Sequence, residues 1–417
     1  MEDLETRSRY AVDGIVPNAV ALPSSESEVA AVLREAAVAQ MVVVPWGAGT
    51  KQDLGRPMER VDLVLSLEKL NRVVDYVPAD MTITVEAGMR FANLQALTAR
   101  HGQTVSLDPP RAAGATIGGI VAAAASGPRR MAYGGVRDFL LGCRVALPDG
   151  RVIKAGGKVV KNVAGYDMSK LFAGSLGTLG VITEVSLKLR PLPADSRTLL
   201  LGFAELGPAM AAAESILNSE LLPAAVTMLT PEVARRLEAP GPVSLAIALE
   251  ETAENNVYQA DRVSQMLAAN GASVVLAGGT ESDFWDRLRN YGDRFAAAFR
   301  IKVNTVVSDV GPQLQDCLRP PGPVKLEAVA YVPSGTVMLY GFANGGEAGA
   351  VAEAVQARMA AANAAGGSAV LESGAVALRR RVDVWGPARP EWKIVEGIRE
   401  TFDAGRTLNR GRFVGRV

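Results

Sequence analysis

Three glycine-rich stretches hold the residues whose types and spacing could do chemistry. They are Pro45-Trp46-Gly47-Ala48-Gly49-Thr50, Ala115-Thr116-Ile117-Gly118-Gly119 and Gly174-Ser175-Leu176-Gly177-Thr178-Leu179-Gly180-Val181-Ile182. Glycine has no Cβ, so ligand atoms can approach its main chain closely, and it tolerates positive φ. Successive N–H groups in such loops form concave nests that hold anions. Three nests in the first half of the chain suit a ligand longer than one phosphate, and a dinucleotide has that length. Taken singly, each loop is equally well a plain turn. The density of small residues from Ala112 to Gly119 and Ala122 to Gly127 argues against three turns, because such main chain can lie flat against a planar ligand. The Ala122–Ser126 run by itself reads as a helix packing face.

Scarce residue types narrow the chemistry further. His101 is the single histidine of 417 residues, which excludes a His-rich zinc or iron site. It stands in Thr98-Ala99-Arg100-His101-Gly102, the end of a helix before a glycine cap. Cys143 and Cys317 are far apart and form no CxxC pair, the usage of a reducing compartment. Lys+Arg and Asp+Glu both count 44, so there is no basic footprint for nucleic acid. The acidic Met1-Glu2-Asp3-Leu4-Glu5 start is unlike a signal peptide. No apolar run approaches the ~18 residues of a membrane-spanning helix.

Two familiar nucleotide loops do not fit. The dinucleotide fingerprint needs G-x-G-x-x-G after a strand, and Gly47-Ala48-Gly49 continues as Thr50-Lys51-Gln52. Gly174-x-x-Gly177-x-x-Gly180 has the wrong spacing and precedes a strand. A phosphate-binding loop of the Walker type ends Gly-Lys-Ser/Thr, whereas Gly157-Lys158 is followed by Val159.

The elements that must position these loops are short. Ser25 and Glu28 suggest a capping box before a helix from Val29 to Gln40. Met41–Val44 reads as a buried strand ended by Pro45, directly before the first loop. Strands are expected at Val61–Leu65, Val73–Tyr76, Thr82–Glu86 and Val181–Leu189, with a helix over Phe91–Arg100. Composition shifts at Arg190-Pro191-Leu192-Pro193, a domain boundary. Beyond it, strands at Val243–Leu249, Ser273–Leu276, Ile301–Val307, Val324–Tyr331 and Val337–Phe342 alternate with helices. Those helices are Ala253–Ala269, a long Phe284–Phe299 and Ala348–Ala362. The pattern suggests an α+β layer, an antiparallel sheet with helices on one face. Trp392–Phe402 is helical, and a turn-rich stretch with three arginines, Asp403 to Arg412, follows.

The three loops together resemble FAD-linked oxidases of the vanillyl-alcohol oxidase type. Pro45–Thr50 is similar to that family's pyrophosphate loop. Ala115–Gly119, with Ser126-Gly127 and Tyr133-Gly134 downstream, is similar to its second FAD loop, and Gly177–Thr183 to its third. The tail Phe402-Asp403 … Leu408-Asn409-Arg410-Gly411-Arg412 resembles the C-terminal signature of the 2-hydroxy-acid branch. The resemblance implies an α+β fold: a PCMH-type FAD-binding domain of two α+β subdomains over residues 1–192, and a smaller α+β cap with an antiparallel sheet over 193–390. A tail over 391–417 returns to the flavin. It implies FAD contacts at Gly47, Ala48, Gly49, Thr50, Lys51, Pro110, Gly114, Ala115, Thr116, Gly118, Gly119, Ser126, Gly127, Gly134, Gly177, Gly180, Val181, Ile182 and Asn409. No histidine stands in the first loop to tether FAD, so the cofactor is expected to be non-covalent.

The departure from the family is as informative. Its catalytic 2-hydroxy-acid dehydrogenases carry His-x-Gly-Asp-Gly-Asn-x-His in the cap, supplying a base and a metal site. This chain has no histidine after His101, so no metal is expected. Arg300, Lys302 and Tyr166 are weak catalytic candidates; Arg300 suits a carboxylate through a bidentate pair, and a solvated strand face is the plainer reading. A shortened cap without the motif is similar to the FAD-binding E-type subunits of bacterial glycolate oxidase complexes. Lys158-Val159-Val160-Lys161-Asn162-Val163-Ala164-Gly165-Tyr166-Asp167 matches their wording. This implies a CH–OH oxidoreductase subunit that works with a catalytic flavin subunit and an iron–sulfur subunit on a small 2-hydroxy acid. It implies a cytoplasmic place, with the membrane reached only through partners. A self-sufficient oxidase with a tyrosine base such as Tyr166 or Tyr331 stays open, as does a structural subunit that has lost FAD.

Overall fold

The computed structural model describes residues 4–157, 166–267, 273–318, 324–343 and 348–416. The chain divides into two compact units. The first comprises Met1–Ser126, Gly134–Leu192 and Ala388–Val417, and the second Gly127–Tyr133 and Pro193–Pro387.

The first unit holds two main sheets. One is parallel, with Leu63–Ser66 between Ala19–Ala21 and Val43–Trp46. Its apolar face is closed by Val12, Val42, Val44, Met58, Val61 and Val64. Pro45 lies inside the strand instead of ending it. An edge strand tolerates a residue with no N–H, and Val43–Trp46 pairs with a strand on one side alone. The preceding helix is Glu26–Val38, three residues earlier than expected at its start. Ser25 Oγ accepts from Glu28 N at 3.2 Å, while the Glu28 carboxylate accepts from Ser24 N at 2.7 Å. The reciprocal half of the box has therefore slipped back by one residue.

The other sheet is antiparallel, in the order Val73–Val77, Thr82–Glu86, Val181–Lys188, Leu140–Ala146, Val152–Gly156. Glu26 fastens the helix to it. Its carboxylate takes Arg144 Nε at 3.0 Å and Thr183 Oγ1 at 2.6 Å. Those bonds hold the Glu26 carboxyl below the usual range although burial pushes the other way.

The second unit is built on an eight-stranded antiparallel sheet. Its order is Ser273–Ala277, Asp195–Phe203, Val243–Glu251, Ala225–Leu229, Val324–Tyr331, Thr336–Ala343, Phe299–Asn304, Ser368–Gly374. Strand alternation splits its apolar residues between two faces. Leu199, Leu201, Leu245 and Ile247 pack with residues of helices Leu206–Leu217 and Ala348–Ala364. Leu200, Ala246 and Ala248 pack with residues of helices Pro231–Arg236 and Gly278–Arg289. Helices thus cover both faces, not one. The expected helix Phe284–Phe299 is also corrected. Helix Gly278–Arg289 and the turn Tyr291–Arg294 precede strand Phe299–Asn304. Ala296, at φ 53°, lies outside the helical region, so a continuous helix through to Phe299 cannot form. The segment Gly127–Tyr133 is held in this unit by Glu250, which accepts Tyr133 Oη at 2.6 Å and pairs with Arg129.

Candidate functional site

The first loop leaves the end of strand Val43–Trp46. Among the described residues, the main-chain N–H groups of Ala48, Gly49 and Thr50 donate to no protein acceptor. Gly49 needs its hydrogen side chain, since its φ is +71° and a Cβ would overlap the Trp46 ring. At Gly47 a Cβ would overlap Thr116 Oγ1, so this glycine lets the first loop close on the second. Arg111 Nη1 donates to Thr50 O and lies 3.7 Å from Asp53.

The second loop uses its amides internally. Ile117 N donates to Met89 O at 2.9 Å, Gly118 N to Ala87 O at 2.8 Å, and Gly119 N to Thr116 Oγ1 at 3.3 Å. Ala115 N donates to Arg111 O at 3.0 Å. Gly118 is glycine because a Cβ would lie 2.6 Å from Ala87 Cβ. Gly114 and Gly119, in contrast, are exposed.

The third loop follows helix Ser169–Phe172 and packs on helix Ile117–Ala123. Gly174 N donates to Val121 O at 3.0 Å and Leu176 N to Ala122 O at 2.8 Å. A Cβ on Gly177 would lie 3.4 Å from Pro45 Cγ and 3.6 Å from Asn409 Nδ2. The tail completes the cluster. Asn409 Nδ2 donates to Leu176 O at 2.7 Å, and Asn409 N to Val43 O at 2.9 Å. Asn409 is 4% exposed, and its Oδ1 is buried without a partner. Arg412 is also buried; it donates to Leu54 O at 3.0 Å, to Gln52 Oε1 at 2.8 Å and to Gln52 O.

The three loops and the tail therefore meet in one unit. Among the described residues Leu179 N and Gly180 N of the third loop, like the first loop's amides, donate to no protein acceptor, while the second loop spends its Ile117, Gly118 and Gly119 amides internally. Several expected contacts have a packing reason of their own. Gly180 fits against Val145. Gly134, at φ +82°, turns the chain beside Asp138. Val181 and Ile182 direct buried side chains into the antiparallel sheet. Lys51, Pro110 and Ser126 are half-buried, and Gly127 lies in the segment grouped with the second unit.

The catalytic candidates do not gather with these loops in one unit. Tyr166 belongs to the first unit and is 94% exposed. Lys158 to Gly165 of the same motif lie outside the described residues. Arg300 and Lys302 are in the second unit. Arg300 is not on a solvated face: it is 4% exposed, with Nη2 3.4 Å from Ser373 Oγ and 3.7 Å from Asp293, and Nε unpartnered. Lys302 is half-buried. His101 follows helix Phe91–Ala99 and meets Tyr76 edge-on at 5.3 Å.

Comparison with known proteins agrees with the loop geometry. Residues 17–156 match the FAD binding domain family. This part of the chain is an FAD binding domain. Glycolate oxidase subunit GlcE of Escherichia coli is 41% identical over 158 residues, covering 38% of this chain and 45% of its own length. Glycolate oxidase subunit GlcD of Bacillus subtilis is 28% identical over 302 residues, 70% of this chain and 64% of that protein. The chain thus spans less than two thirds of the length of either relative. A solved alkyldihydroxyacetonephosphate synthase superposes with a TM-score of 0.69 at 20% identity, over 93% of this chain and 76% of its own. That likeness shows a shared fold. No helix among the described residues is long and apolar enough to cross a membrane.

The residues present fit the cofactor. Consecutive free N–H groups at Ala48–Thr50 suit a diphosphate, since they neutralise charge without a lysine. Asn409 Oδ1 is a buried acceptor in want of a donor, which an unbonded buried group requires. The loop was legible in the sequence. The tail's Arg412 was quoted there without a role, and its bonds to Gln52 and Leu54 depend on a fold-back of several hundred residues.

Proposed function

We propose that this chain is the FAD-binding subunit of a glycolate-oxidising complex, supporting two-electron oxidation of glycolate to glyoxylate. The carrying observation is the run of unpaired donors at Ala48, Gly49 and Thr50, set at a strand end inside an FAD binding domain. Bound FAD would supply the redox chemistry, and the chain would supply binding and electrostatics. The amides of Ala48–Thr50 hold the diphosphate in this reading. Gly114 and Gly119 leave room for main chain beside the cofactor, and Asn409 offers it an acceptor. FAD is held non-covalently.

The similarity to two glycolate oxidase subunits supports a complex in which a catalytic flavin subunit and an iron–sulfur subunit are the partners. The lack of histidine after His101 supports an electron-carrying rather than a substrate-oxidising part for this chain, because hydroxyl oxidation needs a base. The test is an absorption spectrum with a turnover assay. The purified chain should be yellow, release its FAD on denaturation, and oxidise glycolate only with its partner subunits present. Glycolate turnover by the isolated chain at ordinary enzyme rates would sink the subunit reading. A colourless chain that binds no added FAD would sink the site.

A further inference from the structure

A buried ion pair within the tail holds the turn that carries Asn409 to the loops. Arg399 and Asp403 sit one turn apart on helix Trp392–Asp403, each side chain 1% exposed, with Arg399 Nη2 3.0 Å from Asp403 Oδ2. The Asp403 carboxylate accepts Thr407 N at 2.9 Å and Leu408 N at 2.8 Å. Arg399 Nη2 donates to Leu408 O at 2.5 Å. From the opposite side, Val43 N donates to Thr407 O at 2.8 Å and Val43 O accepts Asn409 N at 2.9 Å. Every main-chain polar group from Thr407 N to Asn409 N is thus engaged. The next residue, Asn409, adopts φ 44°, places Nδ2 on Leu176 O and leaves Oδ1 buried without a partner.

This arrangement is costly as stability alone. Arg399 Nε and Nη1 are buried with no acceptor, and burial pulls its guanidinium down to about 10. A buried ion pair with incomplete hydrogen bonding is often no better for stability than apolar residues of the same size. What the pair does achieve is to fix both ends of the peptide that precedes Asn409.

We infer that Arg399 and Asp403 are positioning residues for the cofactor site: their ion pair sets the 407–409 turn so that Asn409 Oδ1 meets a hydrogen-bond donor of bound FAD. The inference rests on the FAD-site reading above. It acts through Asn409, so it predicts coupling and not merely damage. Two groups that work as one unit show non-additive substitution effects, whereas independent sites add.

The experiment is a double-mutant cycle on the full chain, read as the FAD dissociation constant from quenching of free FAD fluorescence, with the melting temperature of the apo chain taken alongside. Asp403→Asn should weaken FAD about tenfold when Asn409 is present, and less than about twofold in the Asn409→Ala background. Arg399→Lys keeps the charge but loses the fork that reaches Leu408 O. It should weaken FAD about threefold, again only with Asn409 present, and it serves where Asp403→Asn melts too low to titrate. Equal losses in both backgrounds, or no loss in either, would overturn the inference while leaving the FAD site standing. A wild-type chain that binds no FAD would instead overturn the site reading, and this inference with it.

Discussion

Polar groups are handled in opposite ways in the two units. At Ala48–Thr50 the first unit presents main-chain donors with nothing to bind among the described residues. On the sheet of the second unit, Glu327, with a side chain 0% exposed, accepts from Arg236 at 3.1 Å and Tyr291 Oη at 2.5 Å, and lies 3.5 Å from Lys325. Arg236 in turn stacks over Phe342 at 4.6 Å and Phe295 at 5.0 Å. The first arrangement is open and neutral, ready for an anion. The second is closed and charged, and its members satisfy one another. The charges of the Glu327 network thus answer one another and point to no ligand, whereas the unfilled main-chain donors at Ala48–Thr50 do. Burial and the neighbouring carboxylate push the Tyr291 hydroxyl far up, so it would make a reluctant base.

The strongest way to break this contrast is to open the closed network. Glu327→Ala leaves Arg236, Lys325 and the Tyr291 hydroxyl without their shared acceptor. Breaking a buried pair from one side costs about 3–5 kcal/mol. A urea titration followed by the fluorescence of buried Trp285, 1% exposed, should show the loss. FAD affinity should be unchanged. A parallel drop in FAD affinity would mean that the network serves the cofactor after all.

The next test fills the open site. Gly119 is exposed, and a Cβ there would meet only Thr116 Oγ1, at 3.1 Å. Gly119→Asp should therefore keep the fold and set a carboxylate against the diphosphate. FAD affinity is expected to fall about a hundredfold, judged by fluorescence titration at low salt. Gly118→Asp is a poorer probe, because its side chain would strike Ala87 and lower stability whatever the ligand. Retained affinity in the Gly119 variant would move the cofactor away from the second loop.

How much of this was legible beforehand depended on the range of the contacts. The first loop could be read because strand, proline and glycines are adjacent in sequence. The internal use of the Ile117 and Gly118 amides could not, because their acceptors, Met89 and Ala87, lie about thirty residues back at the end of another strand. Arg399 and Asp403 have the i,i+4 spacing of an ordinary surface pair, and only packing shows that water is excluded from them. Arg300 misled for a related reason: alternation assigns a face to a strand residue but does not say whether a helix covers that face. Helices on both faces of the large sheet bury it.

Each unit also carries one cysteine, which allows the two to be compared in a single sample. Cys143 is 3% exposed on strand Leu140–Ala146, and burial pushes its thiol up to about 12. Cys317 in the second unit is likewise pushed up to about 12 by burial. Cys143 should react with a thiol reagent at pH 8 only through opening of its surroundings, whereas Cys317 is half-buried and needs less opening. Adding FAD at ten times its dissociation constant stabilises the unit that binds it by about 1.4 kcal/mol. Labelling of Cys143 should slow about tenfold, and that of Cys317 should not change. Equal slowing would show that FAD stabilises both units as one.

The smallest effect expected is a pH dependence confined to the second unit. Hydrogen bonding to Arg235, assisted by Lys325 at 3.3 Å, lowers the Glu232 carboxyl to about 2. Its ordinary value is 4.5. A carboxyl depressed in the folded state stabilises it fully above the unfolded value, and that contribution is lost as pH falls through the folded one. Glu232→Gln should therefore melt below the wild type by about 2–4 °C at pH 6, if the cluster is worth ~1 kcal/mol. The gap should narrow steadily between pH 4.5 and the lowest pH at which the chain still folds, because the wild-type carboxyl is then losing its charge. A gap that stays constant over that range would assign the stabilisation to the shape of the side chain, and the closed network would owe less to its charges than its geometry indicates.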